Sequence, residues 1–267
     1  MKTALHGLRL WVTRPRNQSA ALIAKLHSAG AQVVALPLLE IAPPLDPAPL
    51  ENTLAQLDTF DLAVFVSPSA LDAVLERLPA GWPAHLPAAV MGPGSAMRAK
   101  ESGIAQIIAP NGQFDSAGLL QEPALRQLEN KRVILFRGDG GRDDLPQTLV
   151  KRGAELVIIQ AYRRLPPNFD EAHLRAELAS GCDGMIVSSS EAVQYLFHLA
   201  GGNTRQQLQS ILYFAPHPRI VAALNAQGAA RIELTSVGDA GITETILNYF
   251  SSITHRALTA KKTHDAG

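Results

Sequence analysis

The chain has few cysteines, no net charge and no long apolar run, and each shortage excludes a class of protein. Its 267 residues include one cysteine, Cys182, so no internal disulfide can form and a reducing compartment is expected. The 24 basic and 24 acidic residues cancel, which argues against a nucleic-acid binder working through bulk positive charge. No apolar run approaches the roughly 20 residues of a membrane span, and the N-terminus has no signal-peptide core. We therefore expect a cytoplasmic protein.

Metal and nucleotide motifs are missing as well. The eight histidines are scattered, without an i, i+4 pair or a Cys/His cluster, so we expect no metal. Gly92-Pro93-Gly94 lacks the third glycine and the acid of a dinucleotide fingerprint. No glycine turn continues into the Gly-Lys-Ser/Thr of a phosphate-binding loop. Cys182 stands beside a strand, where a small buried residue is expected rather than a nucleophile.

The composition is that of a folded protein, with 46% hydrophobic and 18% charged residues. Its length suits two domains. Short apolar runs alternate with helical patterns, which predicts βα units and parallel sheets. Strands are predicted at 8–13, 33–39, 62–66, 88–91, 107–108, 133–136, 156–159, 184–187, 211–214 and 231–235. A helix is also predicted over 116–128, a last helix over 243–250, and a flexible tail over 254–267.

Residues 133–164 contain the strongest local signal, a strand, a glycine-rich turn, a helix and a second strand. The candidate anion ligands in the turn are Arg137, Gly138, Gly140, Gly141 and Arg142. Glycines allow backbone N–H groups to converge on an anion, the next helix adds its dipole, and two arginines can pair with carboxylates. The alternative is a tight turn with surface arginines.

The two halves of the chain resemble each other at a spacing of about 123 residues. Arg14 corresponds to Arg137, and residues 61–70 correspond to residues 183–192. Gly92 falls near Ala215. Each half therefore contains three or four βα units.

Two proline-rich linkers, 43–47 and 165–167, lie one βα unit beyond the repeat boundary in each copy. We infer two similar parallel-sheet α/β domains that interleave along the chain. The first would comprise residues 1–39 and 165–253, and the second residues 40–164. Segments 33–39 and 156–164 would lie side by side as a two-stranded β hinge, with a ligand cleft between the domains.

Polar residues follow several predicted strands, where ligands bind in open α/β sheets. The candidates are Ser67, Ser69, Gly92, Ser188, Ser189, Ser190, His217 and Arg219, with Arg14 equivalent to Arg137. Helix capping or a surface position is the alternative for the serines and for His217 and Arg219. Tyr162 ends the last strand of the 133–164 stretch, where packing is the alternative to a hydroxyl in the site.

Taken together, the motifs resemble those of uroporphyrinogen-III synthases. They are VTRP (12–15), FVSPSAL (65–71), MGPGSA (91–96), FRGDGGRDDL (136–145), RGAELVIIQAYRR (152–164) and IVSSSEAV (186–193). The resemblance implies two α/β domains and cyclisation of hydroxymethylbilane to uroporphyrinogen III, with loss of water and inversion of ring D. It implies no metal or organic cofactor. Tyr162 matches the tyrosine proposed to assist departure of the hydroxyl.

One segment departs from the family pattern. Some members carry threonines after the Gly-Pro of the last domain, where this chain has Pro216-His217-Pro218-Arg219. The expected partner is a small-molecule substrate, a polycarboxylate tetrapyrrole, and neither a nucleic acid nor a membrane is expected to bind. The protein is expected to receive its substrate by transient hand-over from the bilane-producing enzyme and to be a monomer. A non-catalytic small-anion sensor of the same fold is the main alternative. A nucleotide-sugar transferase is a weaker one, because no nucleotide-binding acid can be placed.

Overall fold

The computed structural model describes the backbone of residues 4–78, 81–141 and 143–264, and the side chains of these ranges up to residue 253. The chain divides into two compact units. The first unit comprises residues 1–40 and 166–267, and the second residues 41–165. Each contains one sheet covered by helices, so the α/β class with parallel sheets predicted from the alternating pattern is confirmed.

The strands are, in chain order, β1 (Arg9–Val12), β2 (Gln32–Ala35), β3 (Glu40–Ala42), β4 (Leu62–Phe65), β5 (Ala88–Val90), β6 (Ile107–Ile108), β7 (Arg132–Gly138), β8 (Glu155–Leu165), β9 (Gly184–Ile186), β10 (Leu212–Ala215) and β11 (Arg231–Leu234). The helices are α1 (Ala20–Ser28), α2 (Ala48–Leu54), α3 (Pro68–Leu75), α4 (Pro93–Glu101), α5 (Ser116–Leu119), α6 (Asp144–Lys151), α7 (Glu171–Ala179), α8 (Ser190–Leu199), α9 (Gly202–Ser210), α10 (Pro218–Ala226) and α11 (Gly238–His264).

The sheet of the first unit has the strand order β11-β10-β9-β1-β2, and its paired strands run parallel. Side chains alternate between its two faces. Trp11 packs with Tyr213 in the core beneath α8 and α10. Leu10 and Val12 point to the opposite face, where they pack with residues of α1 and α11. Both faces are thus buried, as in a sheet built from βα units.

The sheet of the second unit has the order β3-β8-β7-β4-β5-β6. Strands β4, β5, β6, β7 and β8 pair in parallel. Phe65 and Phe136 stack with ring centroids 5.1 Å apart on the face covered by α2 and α3. Val64 and Leu135 point to the other face, which α6 covers. The carboxyl ends of the strands consequently meet at one edge.

The internal repeat appears as a shared strand order. The order β2-β1-β9-β10-β11 in the first unit matches β8-β7-β4-β5-β6 in the second, with β3 as an extra edge strand. The chain crosses from one unit to the other at residues 40–41 and 165–166. The two crossing segments, β3 and β8, are neighbours in the sheet of the second unit.

The hinge pair predicted from the sequence is wrong in its first member. Strand β2 ends at Ala35 and pairs with β1, whereas β3 and β7 are the neighbours of β8. Beyond Ala35, the N–H groups of Leu36 and Leu38 donate to the carbonyls of Val12 and Thr13, so this segment follows β1 and not β8. The three-residue strand β3 therefore takes the place that the prediction gave to residues 33–39.

Two helix predictions also need correction, and one helix was missed. Residues 116–128 form only α5 and a 3₁₀ turn at Pro123–Leu125, because Pro123 interrupts the helical hydrogen bonds. Helix α9 was missed, since its polar sequence shows no apolar stripe. Helix α11 is longer than 243–250. The predicted tail from residue 254 lies partly in this helix and partly outside the described residues.

Two equivalent aspartates hold neighbouring strands together at the amino edges of the sheets. Asp61 accepts the backbone N–H of Arg132 at 2.8 Å and donates its own N–H to the Arg132 carbonyl at 2.9 Å. Asp183 makes the same pair of bonds with Arg9, at 2.7 and 2.8 Å. The bond from the Arg132 N–H, helped by Lys131, lowers the pKa of Asp61.

The Asp61 carboxylate should make the stability of the fold depend on acid pH. Because its folded-state pKa lies below the ordinary value of 3.8, its stabilisation is complete above that value and is lost as the pH falls through the folded-state pKa. Asp61→Asn should therefore reduce the pH dependence of the free energy of unfolding, measured with urea, between about pH 5 and pH 2. Asp58→Asn, at a nearby exposed position, is the control; the same slope in both variants and the wild type would contradict the role of Asp61.

Candidate functional site

The candidate site lies at the carboxyl edge of the sheet in the second unit. Strand β4 ends just before Ser67, β5 just before Gly92, and β7 at Gly138, while Tyr162 lies near the end of β8. Parallel strands bring these ends together, and ligands of open α/β sheets bind at this edge. These residues therefore lie at or near the carboxyl ends of neighbouring strands.

Ser67 and Tyr162 are joined by a hydrogen bond at this edge. Their hydroxyl oxygens are 3.0 Å apart, although the residues are 95 positions apart in the chain. Ser67 also caps α3, because its oxygen accepts the backbone N–H of Ala70 at 3.1 Å. Tyr162 is 5% exposed. Packing of Tyr162 and capping by Ser67, the alternatives stated for these residues, are both present, and the two side chains also meet.

A β-bulge in β8 brings Tyr162 to this position. Arg137 pairs with Gln160, but the next residue, Gly138, pairs with Tyr162, so Ala161 is extra. Regular alternation would place Tyr162 on the same face as Gln160, away from α3. The bulge instead returns Tyr162 to the face of Ala161, where both join the core beneath α3. Bulges commonly redirect a side chain beside a functional site.

Gly138 leaves the space that the Tyr162 ring occupies. A Cβ atom at Gly138 would lie 2.7 Å from Cζ of Tyr162 and 3.0 Å from its hydroxyl oxygen. Such distances are far below van der Waals contact. Gly138 is therefore required for the close approach of the ring to strand β7.

The glycine-rich turn closes around the side chain of Arg137. Its Nε donates to the carbonyl of Gly140 at 3.1 Å, and its Nη1 lies 3.4 Å from Oδ1 of Asp143. Gly140 and Gly141 have φ angles of 75° and 129°, which favour glycine. The Arg137 guanidinium is thus held by its own loop. Arg142, the other predicted arginine of the turn, lies outside the described residues.

Asp139, which the sequence analysis did not select, fastens the turn to β8 beyond the bulge. Its backbone N–H donates to the carbonyl of Tyr162 at 3.1 Å, and its Oδ1 accepts the backbone N–H of Arg164 at 2.8 Å. Nη2 of Arg164 donates to the Asp139 carbonyl at 2.6 Å. A carboxylate inside a glycine turn, with arginines nearby in sequence, was the signal available for finding it.

Phe114 is a second residue that the sequence analysis missed. It lies beside Gly92, where an added Cβ would be 3.5 Å from Cβ of Phe114. Phe114 is half-buried and follows β6, the strand next to β5.

Ser69, one of the predicted site residues, is 7% exposed within α3. Ser69 is therefore buried, whereas Ser67, which was predicted from the same segment, is half-buried.

The equivalent edge of the first unit contains Arg14, which forms an ion pair with Asp239 at the start of α11. The Arg14 Nη1 and Asp239 Oδ1 atoms are 2.5 Å apart, and the arginine side chain is 15% exposed. Arg14 and Arg137 therefore match in position and in being paired with an acid. Asp239 lies in the segment after β11 and was not predicted.

Helix caps account for several other predicted residues of this edge. Ser189 caps α8 by accepting the N–H groups of Glu191 and Ala192, and Ser188 precedes it, half-buried. His217 caps α10, since its Nδ1 accepts the backbone N–H of Arg219 at 3.1 Å. The hydroxyl of Ser190 donates to the carbonyl of Arg219 at 3.3 Å. Capping, the alternative stated for Ser189 and His217, is realised.

Other kinds of chemistry find little support among the described side chains. These contain no cluster of three or more His, Cys, Asp or Glu residues placed to bind a metal ion. Burial raises the pKa of the Cys182 thiol to about 12, which keeps it protonated at neutral pH and unsuited to nucleophilic attack. Within residues 4–264 as described, no helix has the length and apolar character to cross a membrane.

Comparison with known proteins gives a consistent result. A family model described as "Uroporphyrinogen-III synthase HemD" matches residues 20–235. The uroporphyrinogen-III synthase of Salmonella typhimurium is 30% identical over 196 residues, covering 72% of this chain and 80% of that protein. A putative uroporphyrinogen-III synthase of Methanothermobacter thermautotrophicus is 31% identical over 210 residues, covering 75% and 81%.

Solved structures support the fold. A mutant uroporphyrinogen III synthase from Thermus thermophilus matches with a TM-score of 0.57 and 17% identity, covering 93% of this chain and 100% of that one. The Helicobacter pylori protein matches with a TM-score of 0.57 and 15% identity, covering 91% and 99%. At these identities the likeness concerns the architecture alone.

Gly138→Ala should destabilise the second unit through the Tyr162 ring. The added methyl group would collide with the buried ring and push it away from Ser67, at a cost of about 1–3 kcal/mol as for other overpacked cores. Urea unfolding at neutral pH measures this change.

Two matched variants isolate the steric cause. In a Tyr162→Ala background the colliding ring is absent, so the same Gly138→Ala change should cost much less. Gly94→Ala, in α4 with no atom within 4 Å of the added group, should not destabilise. An equal penalty for Gly138→Ala in both backgrounds would rule out the collision as its cause.

Proposed function

Since the chain belongs to the uroporphyrinogen-III synthase family, we propose that the Tyr162 edge of its second unit assists the first step of that family's reaction. The protein is a lyase that converts hydroxymethylbilane to uroporphyrinogen III in tetrapyrrole biosynthesis. The single observation that carries the proposal is the tyrosine hydroxyl placed at the carboxyl edge of the sheet and hydrogen-bonded to Ser67 at 3.0 Å.

The reaction explains why few titrating groups are needed. The bilane can close without help to the wrong isomer, so the protein must mainly hold the chain of pyrroles in the conformation that inverts ring D. Fixing the geometry of a reaction that is already feasible is catalysis by positioning. Backbone N–H groups, serines and arginines suit this task, because the substrate is a polycarboxylate.

Tyr162 would act on the departing hydroxyl group. The tyrosine donates a hydrogen bond to that oxygen while the C–O bond breaks and the electron pair leaves with oxygen, giving hydroxide and an azafulvenium cation at ring A. Ring D then attacks through its substituted carbon, and the spiro intermediate fragments and closes again with ring D inverted. The proton released on final closure completes a molecule of water, so atoms and electrons balance.

The carboxylates would be bound at the two strand edges described above. In the second unit we assign this role to Gly92 and the turn of Arg137, Gly138, Gly140, Gly141 and Arg142. In the first unit we assign it to Arg14, Ser188, Ser189, Ser190, His217 and Arg219. Helix starts at α4, α8 and α10 support this assignment, since their N-termini favour negative charge.

We also propose that the protein works as a cytoplasmic monomer without a cofactor, nucleic acid or membrane, and receives the bilane by transient hand-over. The balanced composition of 24 basic and 24 acidic residues supports the lack of a nucleic-acid partner. The rival function, a non-catalytic sensor, is favoured by none of the comparisons. Separation of the oxidised products by isomer distinguishes the synthase from such a sensor.

Tyr162→Phe should lower kcat by up to about 100-fold, the low end of general acid contributions, while leaving KM and the unfolding midpoint near wild type. The variant loses the hydrogen bond to the leaving hydroxyl but keeps the buried ring, so the chemical step should slow while substrate binding and folding stay nearly unchanged. Turnover is measured with bilane generated in situ, and the oxidised products are separated by isomer. Wild-type turnover would disprove the role of Tyr162, and type I product alone from the unmodified protein would favour the sensor.

Arg137→Ala and Arg142→Ala should each raise KM by a factor that corresponds to about 1–3 kcal/mol, the contribution of a hydrogen bond to a charged group. Asp143→Ala separates binding from loop support, because it removes the acid that pairs with Arg137. If Arg137 binds a carboxylate, this variant should keep or lower KM. Arg126→Ala is the exposed control, since the described structure joins the Arg126 guanidinium to the carbonyl of Gln121 in its own segment, and this variant should leave KM unchanged. Unchanged KM in Arg137→Ala would contradict substrate binding by Arg137 and support the alternative of a tight turn with a surface arginine.

A further inference from the structure

The hydroxyl of Ser67 can make its bond to Tyr162 in either of two directions. A serine hydroxyl has one proton to donate and two lone pairs to accept, and a tyrosine hydroxyl can also do both. The Ser67 oxygen already accepts the N–H of Ala70 at 3.1 Å and lies 3.0 Å from the Tyr162 oxygen. Of these two partners in the described structure, Tyr162 is the one that can accept the Ser67 proton, because the Ala70 N–H can only donate.

The start of α3 favours donation from Ser67 to Tyr162. The Ala70 N–H and the positive end of the helix dipole withdraw electron density from the Ser67 oxygen, which strengthens it as a donor. Pro68 occupies the first helical position and has no N–H, so it does not compete for the same oxygen. A directed chain results, from the Ala70 N–H through Ser67 to the Tyr162 oxygen.

The direction matters because Tyr162 has only one proton. If Tyr162 donated to Ser67, that proton would be used inside the protein and could not reach a substrate oxygen. If Ser67 donates to Tyr162, the tyrosine proton is free to point outward, and the negative charge that grows on the tyrosine oxygen during donation is stabilised by the serine. The same geometry thus orients the proton and stabilises the charge that develops on its donor.

We propose that Ser67 is a positioning residue that donates its hydroxyl proton to Tyr162 and thereby directs the tyrosine proton toward the departing hydroxyl of the substrate. The inference rests on the proposed function of Tyr162. It gives Ser67 a role different from the direct substrate contact expected from the sequence. The bulge at Ala161 and the missing side chain of Gly138 keep the ring where this bond can form.

The repeat contains a built-in comparison. Ser189 caps α8 as Ser67 caps α3, but its oxygen accepts two backbone N–H groups, at 3.2 and 3.3 Å. The corresponding positions of the other copy hold leucines, Leu38 when the extra residue of the β8 bulge is left out of the count and Leu39 when it is included. A cap of this kind therefore exists without a tyrosine, so helix capping alone does not explain the contact between Ser67 and Tyr162.

A double-mutant cycle tests the proposal. Kinetics are measured for Ser67→Ala, Tyr162→Phe and the double variant, at a temperature well below every unfolding midpoint. Ser67→Ala should lower kcat about 3- to 10-fold, as expected for loss of one hydrogen bond, with KM nearly unchanged. In the Tyr162→Phe background the same change should have almost no effect, because the group it acts through is gone. Ser67→Thr, which keeps the hydroxyl, should restore most of kcat.

Stability is controlled separately. Ser67→Gly removes the hydroxyl but keeps an acceptable cap residue, so it should fold even where Ser67→Ala does not. Asp170→Ala removes the cap of α7, whose Oδ1 accepts the His173 N–H at 2.9 Å, and should lower the unfolding midpoint without changing kcat.

The possible outcomes separate the two proposals. A loss of kcat from Ser67→Ala that persists undiminished in the Tyr162→Phe background would overturn the positioning role and leave the function of Tyr162 intact. A rise in KM with unchanged kcat would also overturn it and indicate direct substrate binding by Ser67. Wild-type kcat in Tyr162→Phe would remove the premise itself.

Discussion

The arrangement of the candidate site depends on one irregularity, the extra residue in strand β8. Regular pairing would turn Tyr162 to the face opposite α3, where it could not meet Ser67. The extra residue at Ala161 restores Tyr162 to that face, and Gly138 provides the space for its ring. Asp139 then fastens the strands beyond the bulge. Each of these features is needed because a buried ring must be placed to within a fraction of an ångström.

The two units share a strand order but differ in what their strand edges can do. Both offer helix starts capped by side chains, and these suit the carboxylates of a tetrapyrrole. The second unit adds the Tyr162 hydroxyl after the bulge in β8, whereas the corresponding positions of the first unit hold Leu38 and Leu39. On the proposed mechanism, repetition of a binding edge with one local change in one copy would combine substrate binding with assistance to a leaving group.

The paired arginines show how such edges can be preorganised. Arg14 is held by Asp239 and Arg137 by Gly140 and Asp143, so neither side chain has to be ordered when a ligand arrives. In the proposed site, a substrate carboxylate would compete with an acid that is already in place. This limits the gain in affinity and lowers the entropy lost on binding. For a protein that must release a bulky product, moderate affinity is consistent with turnover.

The sequence by itself determined the α/β class, the repeated βα units and the helix caps at Ser67, Ser189 and His217, because these depend on residues within a few positions of one another. It did not determine the bulge, the acids that pair with the arginines, or the pairing of β3 with β8. Ser67 and Tyr162 are 95 residues apart, and no local rule specifies their contact. Strand register and buried contacts of this kind follow from packing the whole unit, which only the tertiary structure decides.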